Sequence, residues 1–319
     1  MRLITYHAKS DNGIGVMLDD TRFVALPRHA PELPRSMKAL LGMGEEGLRQ
    51  AEAAARGISA DYNMNEVELD PVVPDPHAIW AMALNYKSHI EETGLPTSDK
   101  YPHVFVRVPG TMVGHKQPLL CPDPSVAKAF DPEAELAVVI GTPGRHIPVE
   151  RALEHVAGYS CFNEGSLREF QGHNRQFGLG KNFEGSGSFG PWLITRDEYS
   201  YKGGMVIGTI NGIERQRGLF DDLLFSVEKI IAYLSTGVGL RAGDVICTGT
   251  PGQLPPSPEF ADRVDNNPKI KVRGVVNLRP GDVAAVNIPG IGILENPVIA
   301  DIPARHVKSL CGSVERASR

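Results

Sequence analysis

Residues 130–141 read Phe130-Asp131-Pro132-Glu133-Ala134-Glu135-Leu136-Ala137-Val138-Val139-Ile140-Gly141. The second half is a continuous apolar run rich in β-branched residues, the pattern of a strand buried on both faces. If that strand already exists at residue 133, Glu133 and Glu135 share one face, about 6–7 Å apart along it. Two carboxylates pointing the same way at the mouth of a buried strand repel each other. A divalent cation between them removes that cost, and Mg2+, Mn2+ and Ca2+ all favour hard oxygen ligands. Alone, a Glu-x-Glu is more commonly a solvated edge-strand face, so the pair needs support from elsewhere.

That support lies in Ala157–Gln171, where an apolar strand runs into a polar turn that starts a helix. Glu164 sits at the strand end, where a third carboxylate can complete a metal site. The competing structural reading makes Asn163 or Ser166 a helix cap and Arg168 with Glu169 a surface pair.

Three further segments carry candidate chemistry. Leu84–Gly94 reads as one short helix with Asn85 as N-cap and Gly94 as stop. His89 and Glu92 are three apart and so share a helix face. A carboxylate beside an imidazole orients it and raises its basicity, which suits a general base, although an exposed polar face has the same spacing. Gly178-Leu179-Gly180-Lys181 places a lysine in a glycine-rich turn, without the GxxxxGK[ST] spacing of a P-loop. Ile246–Pro251 is a strand running into a tight turn whose amides and hydroxyls, including Gly249 and Thr250, can cradle a carboxylate. Plain turn chemistry is the alternative for both. His115 and His173 fall near these regions as pocket candidates, and the other histidines have no ligand spacing. No GxSxG elbow and no GxGxxG after a strand is present, which disfavours a serine hydrolase and a Rossmann cofactor domain.

The chain has 319 residues and a formal net charge of -5 with its basic residues scattered, so nucleic acid is not an expected partner. No apolar run approaches the roughly 18 residues that span a bilayer, and no secretory signal is visible. Four cysteines far apart, with no CxxC, suit a reduced cytoplasmic setting, with Cys161 and Cys247 as buried small hydrophobes. Short runs near 2–6, 13–18 and 22–26 predict a three-stranded meander, followed by helices near 35–42 and 45–56. Pro71, Pro74 and Pro76 mark a joint, giving a small α+β N-terminal domain, residues 1–72, and a second domain, residues 73–319. In the second, strands are predicted at 78–83, 104–108, 135–140, 205–210, 244–248, 283–288 and 291–298, and helices at 85–93, 149–155 and 225–235. Strands at this frequency predict a β-rich α+β fold, a mixed sandwich, roll or barrel, and not a doubly wound sheet. Residues 251–273 read as an irregular excursion.

Taken in order, NYKSHIEE, FDPEAELAVVIG, AGYSCFNEGSLREFQ, GLGKNFEGSGSFGPWLIT, ICTGTP and RPGDVAAVNIPGIGILENPV resemble the fumarylacetoacetate hydrolase superfamily over about Ala78 to Val298. The resemblance implies a mixed β-roll catalytic domain behind a smaller N-terminal domain, often in a homodimer. It implies Mg2+ or Mn2+, with Ca2+ a third candidate, held by Glu133, Glu135 and Glu164. It implies a His89–Glu92 base dyad on a segment that can close as a lid, and Lys181, Gln171 and Thr250 at a small 2-oxo acid. Tyr86, Arg107 and Gly249 join these as expected substrate contacts. The implied activity is hydrolysis of a C–C bond in an acylpyruvate-like 2,4-dioxo acid through a metal-stabilised enolate. The alternative is decarboxylation, tautomerisation or isomerisation of oxaloacetate or an unsaturated 2-oxo diacid, in aromatic or sugar-acid catabolism. A non-catalytic β-roll binding protein is a third reading.

Several positions depart from the superfamily's pattern. The third ligand is usually Asp, and here it is Glu164. Gly165 follows it, where a larger apolar residue is common, and Glu169 replaces another Asp. Arg107 stands where many relatives carry Lys, offering a bidentate fork for a substrate carboxylate. After Pro251 a Pro-containing stretch replaces a Gly-rich one.

Overall fold

The computed structural model describes residues 1–94, 100–264, 272 and 274–301. Strands β1 (Arg2–His7), β2 (Asn12–Met17) and β3 (Arg22–Ala25) form the expected meander, paired in that order. Helices α1 (Met37–Gly42) and α2 (Gly44–Ala55) follow, and the Ser36 hydroxyl caps α1 by accepting from Ala39 N. In α2 the small residues Gly47, Ala51 and Ala55 recur every fourth position and make the buried stripe.

The remaining principal elements are β4 (Ile79–Ala83), α3 (Lys87–Thr93), β5 (His103–Arg107), β6 (Ala134–Ile140), β7 (Val156–Asn163), α4 (Arg168–Gln171), β8 (Gly187–Thr195), β9 (Met205–Ile210), β10 (Ile213–Leu219), α5 (Val227–Gly237), β11 (Val245–Cys247), β12 (Val283–Ile288) and β13 (Gly292–Ala300). Among the described residues one sheet runs β3-β2-β1-β8-β7-β6-β11-β4-β5, with three short strands attached. It is mixed, because β11 pairs parallel with β4 while its other long neighbours are antiparallel. A second sheet runs β10-β9-β12-β13, closed by residues 119–121. The chain forms the β-rich α+β fold expected from the strand frequency, with mixed sheets and few helices.

Strand β6 lies near the middle of the larger sheet and is buried at all seven positions. Leu136, Val138 and Ile140 enter one core with Trp192, Val286 and Leu294 from β8, β12 and β13. Ala137 and Val139 enter the other, with Leu3, Leu40, Leu41 and Ala51. This double burial explains the unbroken apolar run, since each fully buried Leu, Ile or Val contributes about 1.5–3 kcal/mol. It also fixes the register, because a one-residue slip would exchange the two faces. We keep the division at residue 72 as a proposal about folding units. In the structure Arg2 and Leu3 of β1 pair with Ile194 and Leu193 of β8, so both units share one sheet.

Local differences from the sequence reading have physical causes. Residues 149–155 form a 3₁₀ helix, not an α-helix. Gly94 ends α3 in the left-handed conformation, at φ 58°, as expected. Asn85 is not its N-cap; Tyr86 holds that position without a side-chain bond. Asn85 is instead buried and ties three segments. Its Oδ1 accepts from Phe225 N at 2.9 Å, and its Nδ2 donates to Phe225 O at 3.1 Å and Thr248 O at 2.8 Å. Cys161 and Cys247 are buried and unbridged, as read; Cys311 lies outside the described residues, as does much of 265–273. Replacing Asn85 with Ala leaves a buried amide and two carbonyls short of partners. Denaturant unfolding should show a loss of about 2–4 kcal/mol.

Candidate active site

The register of β6 against β7 assembles the carboxylates. Ala134 pairs with Asn163 and Glu135 with Phe162. One step further, Glu133 faces Glu164, whose N–H donates to Glu133 O at 2.9 Å. Glu133, Glu135 and Glu164 therefore occupy one end of one sheet face, and all three are buried. The expected side-by-side placement of Glu133 and Glu135 holds, although Glu133 lies just before the strand.

Each carboxylate is tied to a protein donor. Glu133 accepts from Arg168 Nη2 through Oε1 and from Lys181 Nζ through Oε2. Glu135 Oε2 accepts the Gly249 N–H at 2.9 Å. Glu164 Oε1 is ion-paired with the Arg107 guanidinium. Burial works to raise the Glu133 carboxyl, but Arg168 and Lys181 outweigh it and hold the group low. Burial, then Glu164, then Glu133 push the Glu135 carboxyl well above its ordinary range. Glu164 Oε2 is buried with no hydrogen-bond partner among the described residues.

Among the described residues no group of three or more His, Cys, Asp or Glu side chains is arranged so that it could hold a metal ion as it stands. The donor set nevertheless fits a hard divalent cation. It supplies carboxylate oxygens only, one of them orphaned, and mutual repulsion lifts Glu135.

A cavity of about 320 Å³ opens beside this cluster. Its polar wall holds His89, Glu133, Glu135, Arg168, Gln171, Lys181 and Thr250, and its apolar wall includes Met82, Leu84, Phe105, Phe177 and Val272. Leu84 and Phe177 both take left-handed backbone, at φ 54° and 60°, a conformation uncommon for non-glycine residues. His89 Nδ1 lies 2.8 Å from Glu92 Oε2, the dyad read from the spacing, and both are nearly buried. Glu92 Oε1 also accepts from Gln253 N, and Ser88 Oγ from Gly252 N, so α3 is tied to the segment after Pro251. Lys181 packs over the Phe105 ring at 5.1 Å. Gln171 Oε1 accepts from Arg168 Nη1 at 2.7 Å.

Three expected substrate contacts sit elsewhere. Arg107 is fully buried on Glu164 and Ser186, off the cavity lining, because its fork is already filled by protein acceptors. Tyr86 is buried in the core, also off the lining, beside the Cα of Gly218. Gly249 directs its amide to Glu135, and its φ of 93° explains the glycine. His115 lies on a separate surface groove, where burial lowers it to about 4, and His173 is exposed against Phe170.

The sequence reading missed several residues. Arg168 and Glu169 are not a surface pair. Arg168 is buried on Asp131 and Glu133, while Glu169 accepts from Lys128 N and Ala129 N and holds the preceding loop. Gln216 of β10 links the second sheet to the site, accepting from Ala134 N at 2.9 Å and donating to Thr250 Oγ1 at 2.7 Å. Neither the Asp131–Arg168 pairing nor Gln216 leaves a local signal in the sequence, because their partners are distant in the chain.

Burial and its acidic neighbours push the Glu135 carboxyl up and disfavour its charged form, so a cation that binds the carboxylate competes with a proton. Mn2+ affinity should therefore rise with pH. Calorimetry in buffers of different ionisation heat should detect the released proton, and a pH-independent affinity would contradict this electrostatic account.

The profile of the fumarylacetoacetate hydrolase C-terminal domain matches residues 78–299. The chain is 31% identical over 308 residues to the oxaloacetate tautomerase fahd2, mitochondrial, of Xenopus laevis, covering 94% of this chain and 90% of that one. It is 30% identical over 302 residues to the oxaloacetate tautomerase YisK of Bacillus subtilis, covering 89% and 95%. A crystal structure of a protein described as HpcE from Mycobacterium smegmatis superposes with TM-score 0.79 at 29% identity, covering 95% of this chain and 100% of that one. With this profile match over most of its length, the chain belongs to the fumarylacetoacetate hydrolase family.

Proposed function

We propose that the protein is a divalent-cation-dependent enzyme that forms or consumes the enolate of a small 2-oxo acid. The observation carrying this reading is that His89, oriented by Glu92, opens on the same cavity as Glu133, Glu135 and Lys181. Glu133, Glu135 and Glu164 would hold the cation, Mg2+ or Mn2+. When bound, it draws electron density from the 2-oxo oxygen and so lowers the cost of an adjacent carbanion.

The protein groups supply the rest. Glu92 fixes the imidazole through Nδ1, leaving Nε2 to move a proton. Lys181, buried beside Glu133, places positive charge at the head-group end. Phe105, Phe177, Met82 and Leu84 exclude water from the far wall.

For an acylpyruvate, His89 takes a proton from water and the hydroxide oxygen bonds to the 4-oxo carbon. The C3–C4 bond then breaks, its electron pair passes into the pyruvate enolate, and C3 is reprotonated. This yields pyruvate and a carboxylic acid. A second reading keeps the enolate and omits the water: His89 carries a proton between C3 and the 2-oxo oxygen of oxaloacetate. The relatives named oxaloacetate tautomerase favour it.

A product assay on acetylpyruvate, fumarylpyruvate and oxaloacetate separates the two. Pyruvate plus the cleaved acid supports hydrolysis, and accelerated keto–enol exchange without cleavage supports tautomerisation. In either case Glu135→Gln should abolish cation-dependent turnover with the circular dichroism spectrum intact. His89→Ala should lower kcat by about 10²–10⁴-fold. Full activity of the wild type in excess chelator would refute the scheme.

A further inference from the structure

Resting on the cation reading above, we infer that Arg107 is a positioning residue that limits Glu164 to one-oxygen coordination and thereby selects a small octahedral cation over Ca2+. The guanidinium is fully buried and grips at several points. Its Nη1 pairs with Glu164 Oε1 and donates to Gly165 O at 3.3 Å, and its Nη2 donates to Ser186 Oγ at 2.6 Å. That leaves Glu164 Oε2 as the oxygen without a protein partner among the described residues.

The chain makes room for this arrangement. A Cβ on Gly187 would lie 2.5 Å from Arg107 Nη2, so any side chain there would displace the guanidinium. A Cβ on Gly165 would lie 1.7 Å from Ser186 O, so that glycine is what lets the Glu164 turn approach the Ser186 segment. The Arg107–Glu164 pair and the two glycines thus form one spatial unit.

Glu135 is restrained in the same sense, and Glu133 is held at both oxygens. Glu135 Oε2 is occupied by the Gly249 amide, and both Glu133 oxygens accept cationic donors. Carboxylates held by one oxygen cannot chelate in the two-oxygen mode that Ca2+ readily takes within its large, flexible shell. Mg2+ and Mn2+, which prefer six oxygens in octahedral order, need only one from each acid.

The test is calorimetric titration of Mg2+, Mn2+ and Ca2+ into the wild type and Arg107→Lys. Lysine keeps the charge and loses the fork that spans Glu164 and Ser186. The wild type should bind Mg2+ and Mn2+ more tightly than Ca2+. The variant should narrow that preference by about tenfold or more, the size expected when a partner of a metal ligand is altered. An unchanged affinity ratio in a folded variant would overturn the role of Arg107 while leaving the cation site standing. Failure of the wild type to bind any of the three would overturn both. Should the variant not fold, wild-type crystals grown with Mn2+ decide the matter. Glu164 bound through Oε2, with Oε1 still on Arg107, supports the inference. Both oxygens on the ion, with Arg107 displaced, refutes it.

Discussion

Like charge buried at one end of a sheet is the constraint on which this structure turns. Asp131, Glu133, Glu135 and Glu164 are all at most 2% exposed, as deep as the apolar core around them. An unpaired carboxylate at that depth is costly, and such groups persist only when matched by cations and hydrogen bonds. Arg107, Arg168 and Lys181 provide that match. Four carboxylates against three cations leave one acid without a cationic partner, and burial with repulsion from Glu164 and Glu133 disfavours the charged form of Glu135. A cluster so arranged is stable enough to fold yet retains an attraction for a further cation.

The scaffold makes this affordable by fixing the acids from several directions. Strands β6 and β7 set Glu133, Glu135 and Glu164 by backbone register, so their spacing does not depend on loop conformation. Gln216 anchors the same strand from the other sheet, and Gly249 braces Glu135 from the turn after β11. The His89–Glu92 dyad arrives on a separate helix, tied to residues 252 and 253. Rigid acids and a dyad carried by a different element suit a site where charge must be preorganised before a proton moves.

Much of this was legible in the sequence, for physical reasons. The apolar run 134–140 betrayed a strand buried on both faces, and period-two spacing put Glu133 and Glu135 together. Spacing of three paired His89 with Glu92. What was not legible depended on partners distant in the chain. Asn85 looked like a helix cap because caps and buried bridging amides draw on the same residue type, and only the location of Phe225 and Thr248 distinguishes them. Arg168 looked exposed because its acceptors, Asp131 and Glu133, are more than thirty positions away. For Arg107 the sequence shows the fork of the guanidinium, but not the Glu164 and Ser186 that fill it.

The account as a whole requires that the three glutamates act together on one ion. An electron paramagnetic resonance titration of Mn2+ tests that most directly, comparing the wild type with Glu164→Gln, the acid contributed by the second strand. One tightly held ion per wild-type chain, displaced by Mg2+ and strongly weakened in the variant, is the predicted result. A wild-type chain that leaves Mn2+ free in solution, or a variant that holds it equally well, would contradict the account.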